Sequence, residues 1–362
     1  MDSNKNRRTL GVQGMSERDD LLASIAETIK TYRTGELAQP TPQHVDRWAS
    51  QFTPANQLPF LREFNHVMRQ AFLTKKTVSD FLSRLVTNKE LAGDDPKTFW
   101  GRANVLRIQQ DGQSQKEMVK LFAASLEEQC GLKLANCGVN GGDYIYLDDV
   151  LFGGNRVGAD LESWITNKAP QNATVHIILI AYHTLGQYFA KNKLIEASRR
   201  AGKKIDIRFW RLGELENRLR WKNDSEVLWP ATVPDDATAQ AYVAAQNRFP
   251  LNPRQPGGKL NWFSSEAGRQ VLESEFLIAG VKIRSLTGNL SEWYRPLGCS
   301  SFGVGFGALI ATYRNCPNNC PLALWWGDPQ QAYGALHWYP LLQRKTYADP
   351  ENVFDDLDDL TV

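Results

Sequence analysis

Tyr144-Ile-Tyr-Leu-Asp-Asp-Val-Leu-Phe-Gly-Gly-Asn-Arg156 is the stretch on which the fold turns. Tyr144 to Leu147 form a short apolar run that reads as a strand. The run delivers two adjacent carboxylates, Asp148 and Asp149, and then Val150 and Leu151. Gly153 and Gly154 make a loop, and Val157 to Ile165 reads as a helix. Paired carboxylates can accept hydrogen bonds from ribose hydroxyls, while the loop amides and the helix start can hold a phosphate. The same residues have a plainer reading. Asp-Asp after a strand is common at turns, where an aspartate caps the next helix.

Outward from this stretch, strands and helices alternate between about residues 99 and 230. Asn104 to Ile108 reads as a strand and Gln115 to Leu126 as a helix. Val175 to Ala181 is a near-continuous apolar strand, as in a buried parallel sheet. Leu185 to Arg200 reads as a helix and Ile205 to Phe209 as another strand. The pattern predicts an α/β fold with a doubly wound parallel sheet. Such sheets bind ligands at the carboxyl ends of their strands. Asp148 and Asp149 fall at one such end, and Tyr182 and His183 at another. His183 is thus either a ligand contact or a structural histidine. His176, inside the same strand, reads as a satisfied core or edge residue. Gln110-Asp-Gly-Gln-Ser-Gln-Lys116 lies between a strand and a helix, where Ser114 can cap and first-turn amides can receive an anion.

Residues 16 to 90 read as helical. Ser16 and Asp19 have capping-box spacing, and Leu22, Ile25, Ile29 and Tyr32 recur with helical period. Thr41-Pro42 is a cap followed by proline at the first helical position. Val45, Trp48 and Phe52, then Phe64, Met68 and Phe72, then Phe81, Leu82 and Leu85 continue the stripes. Gly93-Asp-Asp-Pro96 breaks the pattern. Beyond residue 235, Ser264 and Ser265 can cap a helix bearing Val271, Leu272 and Phe276. Phe302 to Tyr313 reads as a glycine-bearing strand. The expected division is a lead-in over 1–15, a helical region over 16–95, an α/β core over 96–235, an α+β region over 236–350 and an acidic tail over 351–362.

Apolar residues make up 42% of the 362 and charged residues 23%, an ordinary globular balance. The net charge of +2 gives no global case for nucleic acid. Locally, Arg208-Phe-Trp-Arg211 and Arg218-Leu-Arg-Trp-Lys222 interleave cations with aromatics. Such segments can stack bases or can serve as packing surfaces with snorkelling arginines. No apolar run reaches the roughly 18 residues that span a bilayer. Lys5, Arg7 and Arg8 are not followed by an apolar block, which argues against a secretory signal. Five cysteines in a chain of this length fit a reducing compartment, so a cytoplasmic location is expected. Cys316 and Cys320 with Cys299 would need His337 to complete a zinc site; free thiols are the simpler reading. The eleven tryptophans must mostly be buried or at interfaces.

The stretch from Tyr144 to Arg156 resembles the signature of type I phosphoribosyltransferases. That signature has four mostly apolar residues, two acids, two apolar residues and a Thr-Gly-x-Thr-like loop. Gly154 falls on the loop glycine, whereas Gly153 and Arg156 occupy the two threonine positions. Arg156 either substitutes as a charged phosphate contact or obstructs the pocket. Tyr313-Arg-Asn-Cys-Pro-Asn-Asn319 and Trp325-Trp-Gly327 are similar to the C-terminal signature of a bacterial branch of phosphoribosyltransferase-like proteins. That branch is associated with anti-phage conflict systems, retron-type loci among them. The resemblance runs from about 20 to 345.

The resemblance implies the following expectations. Asp148 and Asp149 are the candidate catalytic pair and metal ligands, fixing ribose. Gly153, Gly154, Asn155 and Arg156 hold a 5′-phosphate. Gly112, Gln113, Ser114, Gln115 and Lys116 meet pyrophosphate, and His183 is a further ligand contact. The family's chemistry breaks a C1–pyrophosphate bond through an oxocarbenium-like centre, with Mg²⁺ neutralising the leaving group. Two functions follow. One is a defence protein that binds a phosphoribosyl or nucleotide ligand and acts on it as an effector. The other is a catalytically inactive nucleotide-sensing or scaffolding subunit of a defence complex, with nucleic acid as a further partner. Neither involves a membrane.

Overall fold

The computed structural model of the chain describes residues 16–109, 114–139, 141–247, 250–287, 290–301 and 303–344. Gly112, Gln113, the basic lead-in, Phe302 and the acidic tail lie outside the described residues. The chain opens with α1 (Glu17–Ile29), α2 (Pro42–Ala49) and α3 (Gln57–Ala71). Ser16 and Asp19 form the capping box: Ser16 Oγ accepts from the Asp19 amide, and Asp19 accepts from the Ser16 amide, both at 3.2 Å. Thr41 caps α2 by accepting from the His44 amide at 3.2 Å. β1 (Phe72–Leu73), α4 (Lys75–Val86), α5 (Lys89–Ala92) and α6 (Pro96–Arg102) lead to the sheet.

The sheet is four parallel strands in spatial order β2 (Asn104–Val105), β3 (Tyr144–Leu151), β4 (Asn172–His183) and β5 (Lys204–Leu215). α7 (Ser114–Cys130), α8 (Asn155–Asn167) and α9 (Thr184–Arg200) connect them in turn. α4 and α7 cover one face, burying Ile145, Leu147, Ile178 and Ile180. α8 and α9 cover the other, burying Tyr146, Ile177 and Leu179. A strand enclosed on both faces has no solvent side, so β4 reads as an unbroken apolar run. β2 is shorter than its sequence suggests because the chain leaves the ladder early: the Ile108 and Gln109 amides donate to the Gln115 side chain.

The remaining elements are α10 (Ala237–Ala244), α11 (Glu266–Leu286), β6 (Tyr294–Arg295), β7 (Gly298–Cys299), β8 (Ala311–Thr312) and α12 (Leu322–Trp325). α11 is capped by Ser265, which accepts from the Gly268 amide. The long strand expected over 302–313 is not formed. Gly303, Gly305 and Gly307 all take positive φ, which turns the chain, and only Ala311–Thr312 pairs, in parallel with β1. α1 to α3 and α11 enclose the largest core, which also takes in residues from 294 to 342. Within it Trp48, Phe52, Phe60, Phe64 and Phe276 interlock, with the Phe52 and Phe60 rings stacked at 4.2 Å. Six of the eleven tryptophans are buried. All five cysteines are free thiols.

Candidate functional site

β3 runs through Asp148 and Asp149 to Leu151, so both acids lie within the paired strand, close to its carboxyl end. Successive side chains on a strand point to opposite faces. Asp148 therefore continues the face of Tyr146, and Asp149 that of Leu147. Asp148 is buried. Its Oδ1 accepts from Ser114 Oγ at 2.7 Å and from the Asp149 amide at 2.9 Å. Asp149 is partly exposed, and its Oδ1 accepts from the Val150 amide at 2.7 Å.

Ser114 opens α7, and the next residue locks that start in place. The buried Gln115 accepts the Ile108 and Gln109 amides on Oε1, each at 3.0 Å, while its Nε2 reaches Leu147 O at 3.4 Å. Gln109 Oε1 accepts in return from the Gln115 amide at 3.1 Å. Two carboxamides thus tie the end of β2, the start of α7 and the end of β3 together. Gln109 Nε2 is buried and has no hydrogen-bond partner among the described residues, an unmet donor beside the acid pair. Lys116 is exposed on the first turn of α7.

After β3 the chain turns at Gly154, whose φ of 83° makes it the left-handed N-cap of α8. The N-cap, being glycine, offers the first amides of α8 no side-chain acceptor of its own. Gly153, Asn155 and Arg156 are exposed and Gly154 is buried. The loop is pressed against the start of α9. A Cβ on Gly186 would come within 1.8 Å of Phe152 O, and one on Gly154 within 2.3 Å of Gly186 O. The loop position thus depends on Gly186, a residue sequence reasoning missed. A glycine in the first turn of a helix carries no local signal of the backbone it meets.

His183 is wholly buried between the rings of Phe152 and Phe306, each 4.9 Å away. Its Nδ1–H donates to Leu151 O at 3.2 Å, and Nε2 has no partner among the described residues. Burial pushes its pKa down to about 4, so the ring is neutral. In this conformation His183 supports the loop from within.

A second contribution comes from far along the chain. Ile310 packs with Val150 and Ala181, and the Tyr313 hydroxyl donates to Glu117 Oε1 on α7 at 3.3 Å. The segment around β8 therefore packs against the end of β3 and bonds the first turn of α7. Burial, then the charge of Asp149, pushes Asp148 up to about 7, against the pull of the Ser114 hydroxyl, the Asp149 amide and Arg156. Burial raises Asp149 too, while the Val150 amide, Arg314 and Arg156 oppose it. Among the described residues no group of three or more His, Cys, Asp or Glu side chains is arranged to hold a metal ion.

The arginine–tryptophan segments are engaged elsewhere. Arg208 pairs with Asp206 at 2.8 Å, Arg211 with Glu214 at 2.5 Å, and Arg218 with Glu216. Trp210 donates to His176 Nδ1 at 2.9 Å, and His176 bonds Asp143 at 2.9 Å, so that histidine is satisfied in the core. Arg220 and the exposed Trp221 stack at 5.1 Å. No helix among the described residues is long and apolar enough to cross a membrane.

A family model described as PRTase-CE matches residues 45–344. Neither a curated protein nor a solved structure matches the chain.

Proposed function

The chain belongs to the PRTase-CE family, phosphoribosyltransferase-like proteins, and from that premise we propose that it binds a phosphoribosyl or nucleotide ligand within a cytoplasmic anti-phage defence system and acts on it as an effector. One observation carries the reading: an acid pair, with Asp148 buried and held by Ser114, stands close to a glycine turn that opens a helix. In this reading the ribose hydroxyls donate to Asp148 and Asp149. The first amides of α8, with Arg156, receive the 5′-phosphate, aided by the positive end of the helix. The unmet Gln109 amide donor, beside Ser114, faces the ligand's remaining oxygens. Asp148, raised to about 7, can take and release a proton near neutrality, as a group working on a hydroxyl must.

The family resemblance brings Mg²⁺ with the pyrophosphate. The residues here fit a protein-held Mg²⁺ poorly. The two carboxylates diverge along the strand, and the charges of Arg156 and Arg314 already act on Asp149.

A second reading, a catalytically inactive nucleotide sensor within a defence complex, is favoured by the Tyr313–Glu117 bond. It couples α7 to a segment whose backbone also bonds Arg33, where Arg33 N donates to Tyr313 O at 2.6 Å. Calorimetric titration of the full chain with ribose 5-phosphate and with phosphoribosyl pyrophosphate tests both readings. Replacing both acids, Asp148→Asn with Asp149→Asn, should weaken binding by about 10- to 100-fold, the worth of charged hydrogen bonds. Unchanged affinity would end both readings. Release of pyrophosphate on turnover supports the effector; binding without turnover, with altered hydrogen exchange in α1 to α3, supports the sensor.

A further inference from the structure

β5 ends the sheet, and its outer edge is open among the described residues. The Lys204 amide donates to Gln171 O at 2.8 Å, so the backbone groups of Lys204 face β4. Such groups alternate sides along a strand, which turns the amides and carbonyls of Ile205, Ile207, Phe209, Arg211 and Gly213 outward. None of them bonds another part of the chain among the described residues. The register on β4 is unbroken from Asn172–Lys204 to His183–Leu215, so no bulge twists the edge away, and β5 contains no proline. Exposed apolar side chains gather here too. Of the nine large ones exposed among the described residues, six are Tyr188, Phe189 and Ile195 on α9, Leu212 on β5, and Leu219 and Trp221 just beyond it. Open edges and apolar patches of this kind mark sites of association.

We propose that β5 is the interface between two copies of this chain, pairing antiparallel with itself about a two-fold axis at Phe209 so that the two sheets become one. Charge on an edge strand usually repels such pairing; here the charges complement one another and select the register. Centred on Phe209, Lys204 of each copy stands opposite Glu214 of the other, Arg208 opposite Trp210 and Ile207 opposite Arg211, with no like charges opposed. Centring on Ile207 sets Lys203 against Arg211, and centring on Arg211 sets that arginine against itself. The backbone of Phe209 faces outward, so the self-pair closes two hydrogen bonds, as an antiparallel ladder about a two-fold requires. Lys204 is exposed and forms no ion pair among the described residues, which leaves it open to the incoming carboxylate. The axis stands perpendicular to the sheet and keeps the helices of both copies on their own face. α9 packs on β4 and β5, and Lys193 on one flank of it pairs with Glu162 of α8 at 3.0 Å. Tyr188 and Ile195 lie on the opposite flank, two turns apart. With strands about 4.8 Å apart, the two α9 helices run antiparallel at roughly 10 Å, a helix-packing distance. Tyr188 of one copy then meets Ile195 of the other.

Size-exclusion chromatography with light scattering on the full chain, at about 1 to 200 µM, tests this. Wild type should pass from monomer to dimer across that range. Arg211→Pro removes an outward amide and an exposed side chain while leaving the ladder to β4 in place. It should weaken dimerisation at least about tenfold with little change in melting temperature. Lys204→Glu and Glu214→Lys each oppose like charges at both ends of the interface, and each should weaken it by about tenfold. An equimolar mixture of those two chains restores opposite charges at both ends and should dimerise as wild type does. That mixture is decisive if Arg211→Pro melts early. A wild type that stays monomeric throughout overturns the proposal. So does a dimer undiminished in a folded Arg211→Pro chain, or a mixture that associates no better than its components. None of these outcomes bears on the phosphoribosyl reading, which rests on other residues.

Discussion

Asp148 and Asp149 are neighbours whose like charges share a partly desolvated environment, and burial is the larger cause of their raised pKa values. Asp148 rises to about 7, so the folded chain holds a proton that the unfolded chain releases near pH 4. The stability this provides is full below about pH 4 and is lost as pH climbs through 7. His183 works in the opposite direction. Its pKa falls to about 4, so the stability it permits is present above about pH 6.5 and is lost as pH falls toward 4. The two trends offset each other between about pH 4 and 6.5, so the Asp148 contribution is read as a difference: the stability gap between wild type and Asp148→Asn should shift against wild type between about pH 5 and 8, by an amount on the order of a few kcal/mol. The Asp148→Asn chain, left with the His183 trend alone, should gain stability as pH rises from about 4 to 6.5. A gap that stays constant across this range would mean that Asp148 ionises as an ordinary carboxylate. At this scale the acids and Gly154 were legible in the sequence, because strand period and turn chemistry are local. The partner of Asp148 was not. Ser114 reads as a helix cap, yet its hydroxyl donates across 34 positions to a strand.

At the scale of elements, the loop from β3 into α8 is held by backbone contact with α9. Gly186→Ala would drive a methyl group into Phe152 O, so the loop and the helix must part. The expected cost is about 1–3 kcal/mol in urea unfolding, with weaker ribose 5-phosphate binding. Gly153→Ala meets nothing within 4 Å and should change stability by no more than about 0.5 kcal/mol. Equal losses from the two variants would show that the loop is not positioned by this contact. Helices were legible by their caps and apolar period: Ser16, Thr41 and Ser265 each bond as their spacing predicts. The segment before β8 was misread because an apolar run with glycines fits a strand as well as a turning coil. Positive φ at Gly303, Gly305 and Gly307 decided between them, and that choice is made by neighbours such as Leu228 and Leu297, whose backbone leaves no room for a side chain.

At the scale of the whole molecule, the first and last described segments share one core. Residues 22–72 pack with residues 228–342. Tyr32 stitches them: its hydroxyl accepts from the Cys316 amide at 3.2 Å and donates to Gln343 O at 3.0 Å. The return from the sheet to this core is pinned by Glu273 on α11. Arg254 Nε and Arg269 Nε donate to its Oε1 at 2.8 and 2.9 Å, and the Trp229 amide follows at 3.2 Å. All three charged groups are buried. Glu273→Gln strips the charge that compensates two buried guanidiniums and should cost about 3 kcal/mol or more in urea unfolding. A loss under about 1 kcal/mol would show that water or backbone already satisfies them.

The amino-acid order by itself determined the helices, the parallel sheet and the place of Asp148 and Asp149 near a strand end, since each follows from the periodicity and caps of a dozen neighbouring residues. Only the tertiary structure decided that Asp148 is held by Ser114, that Gly186 sets the loop, and that Tyr313 reaches Glu117 on α7. Those outcomes depend on contacts between residues tens to hundreds of positions apart, whose pairing is fixed by packing of the shared cores rather than by any local preference.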